Sequence, residues 1–136
     1  MIARLFRKPE APKPDGRVAV AALLVRVART DGEYAASENA VIREILARRY
    51  GDPALLAQGE ALEASAGDTV HLTKTIKDEI PHDDRMAYLE DLWRVVLADQ
   101  TRDFKEDGFM RLASKLLGMT DRDSAHARQA VQSEAG

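Results

Sequence analysis

Two acid pairs in this chain share one spacing. Asp31 is followed by Glu38, and Asp99 by Glu106, seven residues later in each case. Each Asp closes an apolar stretch and each Glu opens an amphipathic one, so both pairs sit at a helix–loop–helix corner. Carboxylates that converge at such a corner offer oxygen ligands, which suit a hard cation such as Ca²⁺ or Mg²⁺. Neither motif contains His or Cys, so tight zinc binding is not expected. The twelve-residue ligand ladder of an EF-hand is also missing. Two carboxylates leave a cation's shell incomplete. Glu33 beside the first pair, and Asp103 and Asp107 beside the second, are the candidate helpers, with backbone carbonyls and water for the rest. Four acids on one face would also form a negative patch for a basic protein partner. A second reading is purely structural: a carboxylate at a helix start satisfies orphan amides and suits the helix dipole without any ligand.

The elements that would position these acids are helices. The run 17–30 is apolar on nearly every side, with Arg26 its only mid-helix charge, which places it at the centre of a core. Asp31-Gly32 stops it, and Ser37 is a plausible N-cap for the next helix, whose apolar positions are Val41, Ile42, Ile45 and Leu46. Gly51 ends that helix, and Asp52-Pro53 starts a third with Leu55, Leu56 and Leu62. Val70, Leu72, Ile76 and Ile80 sustain a fourth up to Pro81. A fifth starts at Asp83 or Asp84 and carries Leu89, Leu92, Trp93 and Val96, with Glu90 and Arg94 spaced for a surface ion pair. The sixth shows Phe109, Leu112, Ala113 and Leu116 on one side and is capped by Gly118. Thr120 and Asp123 form a capping-box start for a last polar helix. No segment alternates with period two. The expected fold is all-α, a compact bundle of about seven helices.

Shifting the chain by 68 positions lays residues 17–51 on 85–119 without a gap, with eight identities among the 35 aligned residues. Arg26 meets Arg94, Asp31 meets Asp99, Glu38 meets Glu106, and Arg43 meets Arg111. The fold is therefore expected to contain a helix–loop–helix duplication, with the two most apolar helices together at its centre.

Length and charge bound the rest. The 136 residues suit one domain, expected over 17–136 behind a flexible basic leader over 1–16. The net charge of −3 hides an asymmetry: residues 1–17 carry five basic and two acidic side chains, which leaves −6 for the remainder. An acidic body argues against nucleic acid as a partner. The leader is too short for a signal sequence or a membrane span, leaving only weak peripheral contact through residues 1–8, and the chain is expected in the cytoplasm. There is no cysteine, so thiol catalysis and disulfides are excluded.

The segments RVARTDGEYAASE at 26–38 and DRMAYLEDLWRVVLAD at 84–99, followed by Glu106 and LASKLLGM at 112–119, resemble the TerB family. This tellurite-resistance domain also occurs at the N-terminus of the DjlA co-chaperone. The family pattern is an apolar helix, Ala-Asp-Gly, then Glu seven residues after the Asp, twice over. The resemblance covers about residues 17–131. It implies a compact fold of about seven helices and an acidic surface with proposed divalent-metal binding, linked to tellurite resistance and stress. Asp31, Gly32 and Glu38 match the first motif. Asp99 and Glu106 match the second, where Gln100 replaces Gly and Thr30 stands for Ala in the first.

No independent nucleophile or base accompanies the acids, so an enzyme, such as a metal-assisted hydrolase, is the least favoured class. His71, His82 and His126 match no ligand spacing, and His82 suits a helix start. Arg48-Arg49, Lys74 and Lys77 read as solvated helix faces, and no nucleotide motif or organic-cofactor box is present. The expected function is a non-enzymatic binding module, with a structural or regulatory interaction domain as the alternative.

Overall fold

The computed structural model describes residues 16–30, 34, 36–65, 69–98 and 104–135. Among these, seven α-helices and no strand are formed: α1 Gly16–Ala28, α2 Ala36–Tyr50, α3 Leu55–Ser65, α4 Thr69–Glu79, α5 His82–Ala98, α6 Phe104–Leu116 and α7 Asp121–Ala135. The fold is all-α, as the periodicity predicts. The basic leader lies outside the described residues except for Gly16, which begins α1.

The helix ends follow local chemistry. Gly51 and Gly118 both adopt positive φ, at 67° and 78°, the left-handed conformation that glycine tolerates without steric cost. After each, the next amide reaches back to the final turn: Asp52 to the Leu46 carbonyl and Met119 to that of Ser114. Asp52 Oδ1 accepts from the Ala54 amide at 3.1 Å ahead of α3. Thr120 and Asp123 form a reciprocal capping box at the start of α7: the Thr120 amide donates to Asp123 Oδ2 at 2.9 Å, and the Asp123 amide donates to Thr120 Oγ1 at 3.0 Å. The backbone bond to Thr120 holds the Asp123 carboxyl below its usual range. His82 opens α5, one residue before the expected acids. Ser37 is an exposed second residue of α2, so it does not cap that helix.

The core is centred on α1, whose Ala19–Val25 run, Val27 and Ala28 are all buried. It packs most closely on α3, where a Cβ placed on Gly59 would stand only 2.5 Å from Ala21 Cβ. Ala21 meets Gly59, and Arg26 meets Glu63, so the two helices run side by side in one direction. Helix α5 packs on α1 as expected, but it also carries α7 on its other side. Centrality belongs to α1 more than to α5.

The duplication reaches further than the sequence identities. The same shift of 68 carries Ala36, first residue of α2, onto Phe104, first residue of α6. It carries the cap Asp52 onto the cap Thr120, and residues 55–65 into α7. The contacts follow suit: α1 packs with α2 and α3, α5 packs with α6 and α7, and α4 connects the two triplets. The repeat is a three-helix unit.

Two apolar assignments shift. Leu112 is 47% exposed, and the buried side of α6 is formed by Met110 and Ala113, with Leu117 buried just past its end. Val70 is 53% exposed, while Leu72, Ile76 and Ile80 are buried as expected. Both exposed residues sit on the solvent side of short amphipathic helices, where a single apolar side chain costs little.

Candidate functional site

The motif acids divide by what the structure describes. Asp31, Glu33, Asp99 and Asp103 lie outside the described residues. Glu106 and Asp107 fall in the first turn of α6, with side chains outside the description. Glu38 is described, and it is 1% exposed, the third residue of α2. The third helical position suits a carboxylate, both for the dipole and for capping. Its burial means that this motif Glu faces the interior and is not part of a surface patch. Helix α2 lies against α1, α3 and α5, and α6 against α1, α4, α5 and α7. Glu38 and Glu106 thus occupy equivalent places on helices with different neighbours. Among the described residues, no group of three or more His, Asp or Glu is placed to hold a metal ion.

The repeated arginines have matching roles. Arg26 Nε donates to Glu63 Oε2 at 3.1 Å, and Arg26 Nη2 to the Glu63 carbonyl at 3.1 Å, tying α1 to α3. Arg94 ties α5 to α7 through Glu134, whose carboxyl is held below its usual range chiefly by that hydrogen bond. The Glu90 pair expected for Arg94 exists only at 3.9 Å; Asp91 and Glu134 are its main partners.

Asp91 is a buried charge that the sequence reading did not mark. It is fully buried, yet it accepts from Arg49 Nε at 2.5 Å and from Arg94 Nη1 at 2.6 Å, with Arg48 Nη2 at 3.8 Å. A buried carboxylate is tolerable only with such charged donors around it. Arg49 is accordingly a buried-network donor on one side and packs its guanidinium over Tyr88, 5.0 Å from the ring centroid. The expectation of a simply solvated Arg48-Arg49 face fails for Arg49. The signal for Asp91 was present in the repeat: its equivalent in the first copy is Leu23, which is buried.

At the first corner, Tyr34 donates to Glu60 Oε2 at 2.9 Å, and Asn39 Nδ2 donates to the Tyr34 hydroxyl at 3.2 Å. Burial, followed by that bond to Glu60, pushes the Tyr34 hydroxyl up to about 12. Tyr34 thus ties the chain just before α2 to α3.

No helix among the described residues is long and apolar enough to cross a membrane. No curated protein and no solved structure matches the chain. Residues 17–129 do match a family described as tellurite resistance protein TerB, and that span includes both corners, Arg26, Arg94 and most of the seven helices. With the family covering most of its length, the chain belongs to the TerB family.

Proposed function

We propose that this chain is a non-enzymatic TerB-family binding module whose contact region is the pair of acidic corners, with Ca²⁺ or Mg²⁺ or a basic protein segment as ligand. The observation that carries this reading is the in-register duplication of a three-helix frame. It supports each corner with equivalent helix starts at Ala36 and Phe104 and equivalent arginine ties at Arg26 and Arg94. A rigid frame repeated around two short acidic loops is what positioned oxygen ligands require. A role in tellurite resistance would be indirect, because this chain supplies no thiol to reduce or trap an oxyanion.

Burial of Glu38 favours a second reading for that residue: it serves the start of α2, and the two motif aspartates, Asp31 and Asp99, carry any ligand contact. Backbone NMR during Ca²⁺ and Mg²⁺ titration separates the two. The module reading expects saturable shifts at the residues flanking both corners, lost in Asp31→Asn and Asp99→Asn. Absence of any response at millimolar metal, together with no response to a lysine-rich peptide, would leave the acids as caps.

A further inference from the structure

The second copy contains an open pocket of about 310 Å³ between α5, α6 and α7, lined by Trp93, Met110, Arg111, Asp121, Ser124 and Arg128, with Ala125 at its edge. Its floor is apolar: Met110 and Trp93 are both buried. The Trp93 indole is fixed from two directions, by its Nε1–H donating to Ser124 Oγ at 3.1 Å and by the Arg128 guanidinium 5.5 Å from its ring centroid. Two positive groups face one carboxylate in this lining. Neither Arg111 nor Arg128 forms an ion pair with a described residue, and Arg128 Nε is buried with no acceptor among them. A buried guanidinium N–H normally has an acceptor, and a carboxylate or phosphate oxygen is the strongest available.

Comparison with the first copy shows how the pocket arises. Under the shift of 68, Trp93 replaces Val25, Ser124 replaces Leu56, Arg128 replaces Glu60 and Asp121 replaces Pro53. In the first copy, Val25 and Leu56 are buried and Glu60 is taken by Tyr34. The second copy exchanges two buried aliphatic residues and an acid for an aromatic wall, a hydroxyl and a guanidinium whose Nε has no acceptor among the described residues, at equivalent positions of the repeat.

We propose that this pocket binds a small organic anion, a carboxylate or phosphate carried on a flat apolar body. Arg128 grips the anionic group, Arg111 adds charge at the mouth, and the body lies against Trp93 and Met110. Asp121 opposes the anion and leaves the described lining, with Arg111 and Arg128, one net positive charge. None of these lining residues is a motif acid, so the proposal does not rest on the metal reading.

Trp93 is the only tryptophan in the chain, so its fluorescence reports on this pocket alone. Phenyl phosphate and benzoate are the probes, with neutral benzamide and inorganic phosphate as controls. The expected result is a saturable emission change with phenyl phosphate or benzoate at millimolar concentration and none with benzamide. Inorganic phosphate should bind more weakly than phenyl phosphate. Arg128→Gln should weaken binding by about tenfold or more, the loss expected for a charge-assisted hydrogen bond. Arg111→Gln, an exposed substitution that leaves the core untouched, should weaken it by about two- to fivefold, and Asp121→Asn should tighten it by a similar factor. Circular dichroism checks that each variant is folded. No saturable change with either anion, or an affinity unmoved by Arg111→Gln and Asp121→Asn, overturns the proposal.

Discussion

Asp91→Asn tests whether the buried carboxylate holds the two copies together. Asp91 lies in α5, in the second copy, while Arg49 lies in α2, in the first, so their 2.5 Å contact crosses the duplication. Substitution by Asn keeps the side-chain volume and removes the charge. Two charge-assisted hydrogen bonds, to Arg49 and Arg94, are then lost or inverted, each worth about 1.5–3 kcal/mol. The full cost of breaking a buried ion pair, about 3–5 kcal/mol, is an upper bound here. The Arg49 and Arg94 side chains keep 25% and 17% exposure, and Arg94 retains Glu134, so both cations recover some solvation or pairing. A loss of about 2–4 kcal/mol is expected, which for a chain of this length lowers the melting temperature by about 8–15 °C. Urea unfolding followed by far-UV circular dichroism measures the first figure, and a thermal melt the second. In a double-mutant cycle with Arg49→Met, a coupling of at least about 1 kcal/mol should appear. A loss below about 0.5 kcal/mol, or additive single and double variants, would refute the assignment of Asp91 as the tie between copies.

Three further outcomes follow from local geometry. Gly59→Ala should cost about 3 kcal/mol or more, because the new Cβ would stand 2.5 Å from Ala21 Cβ and 2.8 Å from the Ala21 backbone carbon, neither of which can swing away. Gly108→Ala, with nothing within 4 Å of the added carbon, should stabilise α6 by about 0.5–1 kcal/mol in the same urea assay. Tyr34 has its hydroxyl raised from 10.0 to about 12, so the folded state holds this proton more tightly than the unfolded chain. Its stabilising contribution is complete below pH 10 and is lost as pH rises towards 12. Stability measured across that window should therefore fall more steeply in the wild type than in Tyr34→Phe.

Helix number and order were legible because the apolar run Val18–Val27 and the helically spaced Leu89, Leu92, Trp93 and Val96 are bounded by Gly, Pro or Asp breaks. The caps at Asp52, Thr120 and Gly118 were legible for the same reason: their chemistry is local, acting over three or four residues. Face assignment was less secure. In α6, Leu112 and Met110 are both apolar two positions apart, and only packing on α7 and α4 decides that Met110 turns inward. The third helix of the repeat escaped detection because its copies share a place and a cap but little composition; Leu55-Leu56 stands against Asp123-Ser124. Local spacing offered Asp91 only its neighbour Arg94 three residues on; the Arg49 contact that crosses to another helix lies 42 residues away.

These misses have a common origin. Self-comparison rewards positions where the copies agree, and among the described residues agreement selects frame: Arg26 with Arg94, and Leu24 with Leu92. Positions where they disagree at a buried site are more informative about chemistry. Asp91 for Leu23 places a charge in the interior, and Ser124 for Leu56 gives up buried apolar area. Neither change helps a core on transfer energy alone, since a buried methylene is worth about 0.8 kcal/mol and a buried polar group costs unless paired. Both are compensated by specific partners, Arg49 and Arg94 for Asp91 and the Trp93 indole for Ser124. Arg128 is the departure whose compensation is incomplete within the described residues, with its Nε buried and no acceptor for it. In a duplicated fold with one leucine-filled half, an unfinished polar substitution in the other half marks the place where a ligand completes the structure.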